Sequence, residues 1–350
     1  MKKILVINPG STSTKIAIFF DREEKIRETL IHDDSLLSQP LFPQQYEERK
    51  KSIFKFIQDK GFSLGDFSAI AARGGRLKPV KSGVYRINEE MVEHARIGLQ
   101  GQHPANIAVV LAWEISKKYG CDAFTVDPIS VDERMELAKV TGVKGIRRNS
   151  LSHALNMKAV AKKAARDIGK SYEQSRFIVV HLGGGGSISA HLDGKMVDLY
   201  NSDKEGPFAV ERAGNIPTLD LLDYMKENNL NFDEIIQMLT HKGGLFSHFG
   251  TRNMSEILKE AEKNPKNMMI IEAYIYNVSK YVCSLLPIFN GQLDAIVVTG
   301  GVVKNEFIRE LLKKYLSFLK IMWYPGEFEM ETLALRTLDA LEGREEILEY

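Results

Sequence analysis

Short apolar runs alternate along this chain with segments whose apolar residues recur every three to four positions, the pattern of strands interleaved with helices. Ile4–Ile7 and Lys15–Phe20 read as two strands joined by a Gly/Ser/Thr loop, with Lys25–Ile31 as a third. Phe177–Leu182 and Ser187–Leu192 form a second pair joined through glycines, and Asp193-Gly194 is a hairpin turn signal into Lys195–Tyr200. Pro104–Tyr119, Leu151–Ile168, Asn231–Thr240 and Asn305–Leu319 carry the helical period, and a last helix runs roughly Met330–Glu342. Asn231 with Glu234 is a capping box, and Asn305 stands where a helix cap belongs. The architecture predicted is α/β. Gly10 and Gly184 are equivalent points in the two glycine-bearing loops and lie 174 positions apart in 350 residues. That offset predicts a duplication with one phosphate-binding hairpin in each of two domains; the alternative is two unrelated hairpins. The expected domains are 1–150, rejoined by the C-terminal helix 331–350, and 151–330.

Charge removes two function classes. Lys and Arg number 47 against 46 Asp and Glu, so a net charge of +1 supplies no general attraction for nucleic acid or membrane. The N-terminal apolar run stops after four residues at Asn8-Pro9-Gly10, too short for a secretory signal. The longest apolar stretch, Met268–Phe289, is interrupted by Glu272, Asn277 and Lys280, which predicts a buried helix and no membrane span. Cys121 and Cys283 are the two cysteines, each in apolar surroundings and expected to be buried free thiols. A reducing cytoplasm is the expected location.

The loop Asn8-Pro9-Gly10-Ser11-Thr12-Ser13-Thr14-Lys15 would offer an oxyanion hydroxyls, backbone N–H groups and a lysine. It lacks the glycine spacing and following helix of a Walker A loop, and a plain polar turn is the alternative. Gly183-Gly184-Gly185-Gly186 between two strands is costly unless something needs close backbone approach, and phosphate is the candidate.

With further motifs the chain resembles the acetate and butyrate kinase family, within the actin/sugar kinase/Hsp70 superfamily of ATPases. The opening Asn8-x-Gly10-Ser11-x-Ser13-x-Lys15 is similar to that family's first signature. Arg73-Gly74-Gly75, His103-Pro104, Asp127, His153, His181-Leu182-Gly183, Arg212-x-Gly214, Thr299-Gly300-Gly301 and Glu331 follow in order. The segment Asn149–Asn156 resembles the butyrate branch more than the acetate branch. The resemblance implies a two-domain actin-like ATPase fold (ribonuclease H-like) around an interdomain nucleotide cleft, with ATP as substrate, Mg²⁺ as cofactor, self-association into a homo-oligomer, and butanoate as the acceptor. Isobutyrate, propionate and acetate are alternative acceptors. Two rivals remain: a sugar kinase, and an actin- or Hsp70-like nucleotide switch.

The residue types suit an acyl kinase on their own terms. A carboxylate, with a pKa of about 4–5, is ionised at neutral pH, so no base is required; positioning and charge neutralisation are. Arg73, just after the apolar run Ala69–Ala72, is read as the clamp on the acid, and Arg212 as a donor to the transferring phosphoryl group. For each, a surface salt bridge is the alternative. The resemblance places His153 on the γ-phosphoryl group, with a capping or core histidine as the alternative; His103 is read as a substrate contact, or as a residue that orients a neighbour or shapes the substrate pocket. Asp127, ending Ala123–Val126, and Glu331, before the last helix, are read as holding Mg²⁺ directly or through water. Asp127 has a helix cap as its alternative and Glu331 an ordinary first-turn acidic role. Asn8, Ser11, Ser13, Lys15, His181, Gly183–Gly186 and Thr299, Gly300 and Gly301 are the expected nucleotide and phosphate contacts.

Overall fold

A computed structural model describes residues 1–350, Asp34 through its backbone alone. The strands in chain order are β1 (Lys3–Pro9), β2 (Ser13–Phe20), β3 (Glu23–Ile31), β4 (Ala69–Arg73), β5 (Val84–Arg86), β6 (Asp122–Val126), β7 (Phe177–Leu182), β8 (Gly186–Leu192), β9 (Lys195–Asn201), β10 (Ala295–Gly300), β11 (Ile321–Pro325) and β12 (Ile347–Leu348). The chain divides into two compact units. One comprises Met1–Glu133, Asn149–Ala159 and Phe328–Tyr350; the other comprises Arg134–Arg148 and Val160–Glu327. The chain passes between the units after Glu133, Arg148, Ala159 and Glu327, where the sequence leads one to expect passages near 150 and 330.

The first unit holds a sheet ordered β12-β5-β6-β4-β1-β2-β3. Ile4, Leu5, Val6 and Ile7 of β1 are all fully buried because both sheet faces are covered. Leu5 and Ile7 pack with Ile107, Val110 and Leu111 of the helix Ala105–Tyr119. Ile4 and Val6 face the other way, against Met330, Leu333 and Ala334 of the helix Glu329–Leu341. The edge strand β3 carries Glu23, Lys25, Arg27 and Glu28, charges that discourage pairing with another chain.

The second unit repeats the central pattern. Its order is β11-β10-β7-β8-β9, with β7, β10 and β11 parallel and β8 and β9 antiparallel. β6, β4, β1, β2 and β3 are related in the same way. Ile178, Val180, Ile296 and Val298 pack with the helices Pro265–Ser284 and Glu306–Leu316.

Local signals account for several ends. Asn231 and Glu234 form the reciprocal capping box at Phe232–His241, and Asn305 caps Glu306–Leu316 through Ile308 N–H. Asp193 and Gly194 both adopt positive φ, 51° and 74°, as a two-residue β-hairpin turn requires. The apolar stretch after Met268 is the helix Pro265–Ser284 followed by the 3₁₀ turn Leu286–Phe289, and among the described residues no helix is long and apolar enough to cross a membrane. The helix expected from Leu151 starts at Ala154 instead, because His153 supplies the carbonyl that accepts the N–H of Met157 (2.9 Å). Both cysteines are free, but they are half-buried rather than buried.

Candidate active site

β1 and β4 run parallel in register, Ile7 opposite Ala72, so the next residues, Asn8 and Arg73, emerge side by side at the carboxyl ends of the strands. Ligands of α/β sheets gather at such ends. The helix Glu329–Leu341 lies on the same strands through Met330 and Leu333, which delivers Glu329 to the same place. Asn8, 2% exposed, donates from Nδ2 to Glu329 Oε2 (2.7 Å) and accepts from Arg73 Nη1 at Oδ1 (3.2 Å). Arg73 Nη2 lies 3.4 Å from Glu329 Oε1.

One pocket is lined by Arg73, Gly74, Asp127, Ile129, Ser152, His153, Leu155 and Glu329. The structure thus brings together Arg73, Asp127 and His153, as the sequence reading expects, and adds Glu329 and Ser152. Ser152 is 4% exposed and its Oγ has no hydrogen-bond partner, a buried hydroxyl left unsatisfied at the crevice. Ile129 and Leu155 make part of the wall aliphatic.

The glycines after Arg73 are there for lack of space. A Cβ on Gly74 would lie 2.4 Å from Pro128 Cβ, and one on Gly75 1.9 Å from Asn106 Oδ1. That oxygen accepts the N–H of Arg76 (2.9 Å), and Asn106 Nδ2 donates to Ala95 O (3.0 Å).

Asp127 is buried, with φ at 40°. Its Oδ1 accepts from Ser82 Oγ (2.6 Å) and Gly83 N–H (2.9 Å), and its Oδ2 pairs with Arg336, which also holds Glu345. Burial depresses the guanidinium pKa of Arg336, but Asp127 and Glu345 outweigh that and raise it. No helix follows Asp127, so it is not a helix cap.

Glu331 needs a correction. It is exposed, whereas Glu329 is 4% exposed and lines the pocket. Two residues on a helix differ by about 200° in direction, so the two carboxylates point to opposite sides. The helical phase held the signal: Glu329 stands four before buried Leu333, and Glu331 does not share that face. Ser152 carries no comparable signal. His103 is absent from the pocket lining and instead accepts the N–H of Ala105 at Nδ1 (3.1 Å).

Within the same unit, the loop after β1 closes through Gly10 N–H donating to Ser13 O (2.7 Å), and Lys15 stands opposite Asn8 in the hairpin. Ser11 is exposed and Ser13 half-buried. In the second unit the equivalent turn closes through Gly183 N–H donating to Gly185 O (2.9 Å), while Gly184 O accepts from Glu211 N–H (3.1 Å). His181 and Thr299 are neighbours across β7 and β10, and Thr299 Oγ1 donates to Gly326 O (3.2 Å). Gly300 has φ of 104°. Arg212 is 8% exposed, with Nε 2.7 Å from Asp203 Oδ1 and Nη1 3.3 Å from Glu211 Oε1. It is an ion-paired residue, though not a surface one. Glu211 also accepts from Arg252 Nε (2.7 Å).

Among the described residues, no three His, Cys, Asp or Glu side chains cluster as a metal site. Mg²⁺ does not require such a cluster, since it keeps waters and binds through one or two carboxylates together with substrate phosphates. Glu329, a buried carboxylate set among Asn8 and Arg73, fits that donor set, with Asp127 on the same pocket.

The acetokinase family profile matches residues 137–337. Butyrate kinase 2 of Clostridium acetobutylicum is 40% identical, the alignment covering 99% of each chain. A probable butyrate kinase of Thermotoga petrophila is 38% identical over 100% of this chain and 99% of its own. Among solved structures, the acetate kinase of Porphyromonas gingivalis superposes with a TM-score of 0.79 at 20% identity, covering 97% of this chain and all of that one. A propionate kinase of Francisella tularensis gives 0.78 at 21% identity, covering 96% and 99%. The fold is therefore that of acetate kinase, an actin-like ATPase fold. Matched by the family profile over more than half its length and by these relatives from end to end, the chain belongs to the acetokinase family.

Proposed function

We propose that the chain transfers the γ-phosphoryl group of ATP to butanoate, giving butanoyl phosphate and ADP. The observation that carries this is the set of residues around a narrow crevice: the Arg73 guanidinium and the Ser152 hydroxyl stand beside aliphatic Ile129 and Leu155. That combination suits an anion with a short apolar tail. The relatives at 40% and 38% identity are named butyrate kinase and probable butyrate kinase, which supports the choice of acid.

A carboxylate oxygen attacks the γ-phosphorus, the bond to the β,γ-bridging oxygen breaks, and ADP leaves with the electron pair. No proton moves, because the acid is already ionised. Arg73 and Ser152 hold the carboxylate, and His153 donates to the γ-phosphoryl oxygens. Arg212 stabilises the charge spread over the group in transfer. Asn8, Ser11, Ser13 and Lys15 contact phosphate, as do His181 and Gly183–Gly186, with Thr299, Gly300 and Gly301 toward the adenosine. Glu329 would hold Mg²⁺, and Asp127, whose oxygens already accept from Ser82, Gly83 and Arg336, would reach it only through its waters; the ion would offset phosphate charge. The first unit takes the acid and the second the nucleotide. A sugar kinase is disfavoured because the oxygens of Asp127 are occupied by Ser82, Gly83 and Arg336, which leaves it badly placed to take a hydroxyl proton.

The enzyme is placed in the cytoplasm, as a homo-oligomer; its free thiols agree with a reducing compartment. Isobutyrate and propionate differ from butanoate by one methylene or its placement, worth about 1–3 kcal/mol in a pocket, and rank as secondary acceptors. ADP release measured with butanoate, acetate, glycerol or no acceptor tests the proposal. Turnover dependent on butanoate supports it. Turnover with glycerol, or without an acceptor, overturns it.

A further inference from the structure

The helix Tyr46–Asp59 carries a charged residue at the centre of its buried face. Arg49 is 0% exposed. Its Nη1 donates to Gly10 O (3.1 Å), Ser13 O (3.2 Å) and Thr14 Oγ1 (3.0 Å). Its Nη2 donates to Ser11 O (3.4 Å) and Gln45 Oε1 (3.3 Å). The remaining carbonyl of the turn, that of Thr12, accepts from His32 N–H (3.1 Å). All four carbonyls from Gly10 to Ser13 are thus drawn toward the protein. Neither Ser11 nor Thr12 spends its own N–H on a backbone bond.

Among the described residues no carboxylate pairs with Arg49. Burial lowers its pKa to about 10, so it remains a cation at neutral pH. Its charge reaches its surroundings: with burial, Arg49 pulls the neighbouring His32 down to about 4. A buried cation without a counter-ion is expensive, and one whose field points at a turn of free N–H groups has a use there.

We infer that Arg49 is a positioning residue, which turns the carbonyls of the Gly10–Ser13 loop inward and adds a positive field behind its amides, so that the loop receives the terminal phosphates of a nucleoside triphosphate. The inference rests on the phosphate-binding reading of this loop given above. Arg49 itself does not touch the ligand.

The test measures ATP and ADP binding by calorimetry, together with the KM for butanoate, in Arg49→Met, Arg49→Lys and Lys15→Ala. Arg49→Met is expected to weaken ATP binding at least tenfold while the butanoate KM stays within about twofold. Arg49→Lys keeps the charge without the fork and is expected to recover part of the loss. If ATP and butanoate affinities fall together and lysine rescues nothing, Arg49 is a packing residue and the inference fails. Should Arg49→Met not fold, Arg49→Lys carries the test: a three- to tenfold weaker ATP affinity supports the inference, and an unchanged one overturns it. Lys15→Ala separates the two levels. If it weakens ATP while the Arg49 variants do not, the inference alone is wrong. If neither position matters to ATP, the phosphate reading of the loop is wrong as well.

Discussion

Arg73 spends one donor on Asn8 and lies against Glu329, which leaves further N–H groups of its planar fork for a carboxylate. Arg73→Ala is therefore expected to raise the KM for butanoate at least tenfold more than that for ATP, measured by steady-state kinetics with each substrate varied. Arg73→Lys should restore little of it, since a point charge cannot reproduce the fork. The carboxylates of the last helix give a sharper contrast. Glu329→Gln should lower kcat by about 10² or more, a loss partly recovered by excess Mg²⁺ or Mn²⁺. Glu331→Gln, at an exposed position, should stay within about 0.5 kcal/mol of wild type in stability and within twofold in activity. Equal losses in both would remove Glu329 from its role. Arg73 and His153 each stand in a short motif, which is how the sequence singles out two residues that line the same crevice. Glu329 was not legible in the sequence, because its partner Asn8 lies 321 positions away, and only helical phase distinguishes it from Glu331.

At the scale of elements, the caps and turns follow local rules, and the structure keeps them. The box at Asn231 and Glu234 and the turn at Asp193-Gly194 depend on residues within four positions of each other. Tertiary contact decides the rest. The glycine after Gly74 looks like a turn residue but is required because the N-terminus of the helix Ala105–Tyr119 passes against it. Gly75→Ala would press on Asn106 and should cost about 1–3 kcal/mol, read as a lower denaturant midpoint at unchanged m-value. It should also weaken butanoate turnover by displacing Arg73, two residues before it. A variant as stable as wild type would mean that the contact relaxes freely.

The last helix belongs to the unit that begins the chain, so the first strand and the last helix share one core. Leu333 is fully buried in it. Leu333→Ala should cost about 2–5 kcal/mol through the cavity left behind, measured by denaturant unfolding. The stability of the molecule should also depend on pH through His32. Burial first, then Arg49, lowers its pKa from 6.5 to about 4, against the opposing pull of Asp33. Folded His32 therefore binds fewer protons than the unfolded chain in that window, and its contribution is complete above pH 6.5 and lost as pH falls through about 4. His32→Gln lacks this term, so the Tm difference between the two proteins should shift against wild type on acidification from pH 7 to 4. A difference independent of pH would show that His32 does not titrate this way.

The order of strands and helices, the two glycine-bearing hairpins and the motif residues at their ends were determined by the sequence alone. Apolar period, caps and turn chemistry act over a few residues and leave their record there. Tertiary structure alone decided that the last helix brings a carboxylate to Asn8, which hydroxyl of Ser150 and Ser152 is left without a partner, and which arginine lies beneath the first loop. These are questions of where a side chain points once distant segments pack, and a side chain's direction is set by the register and phase of the elements that carry it. The amino acid at each position is compatible with either outcome.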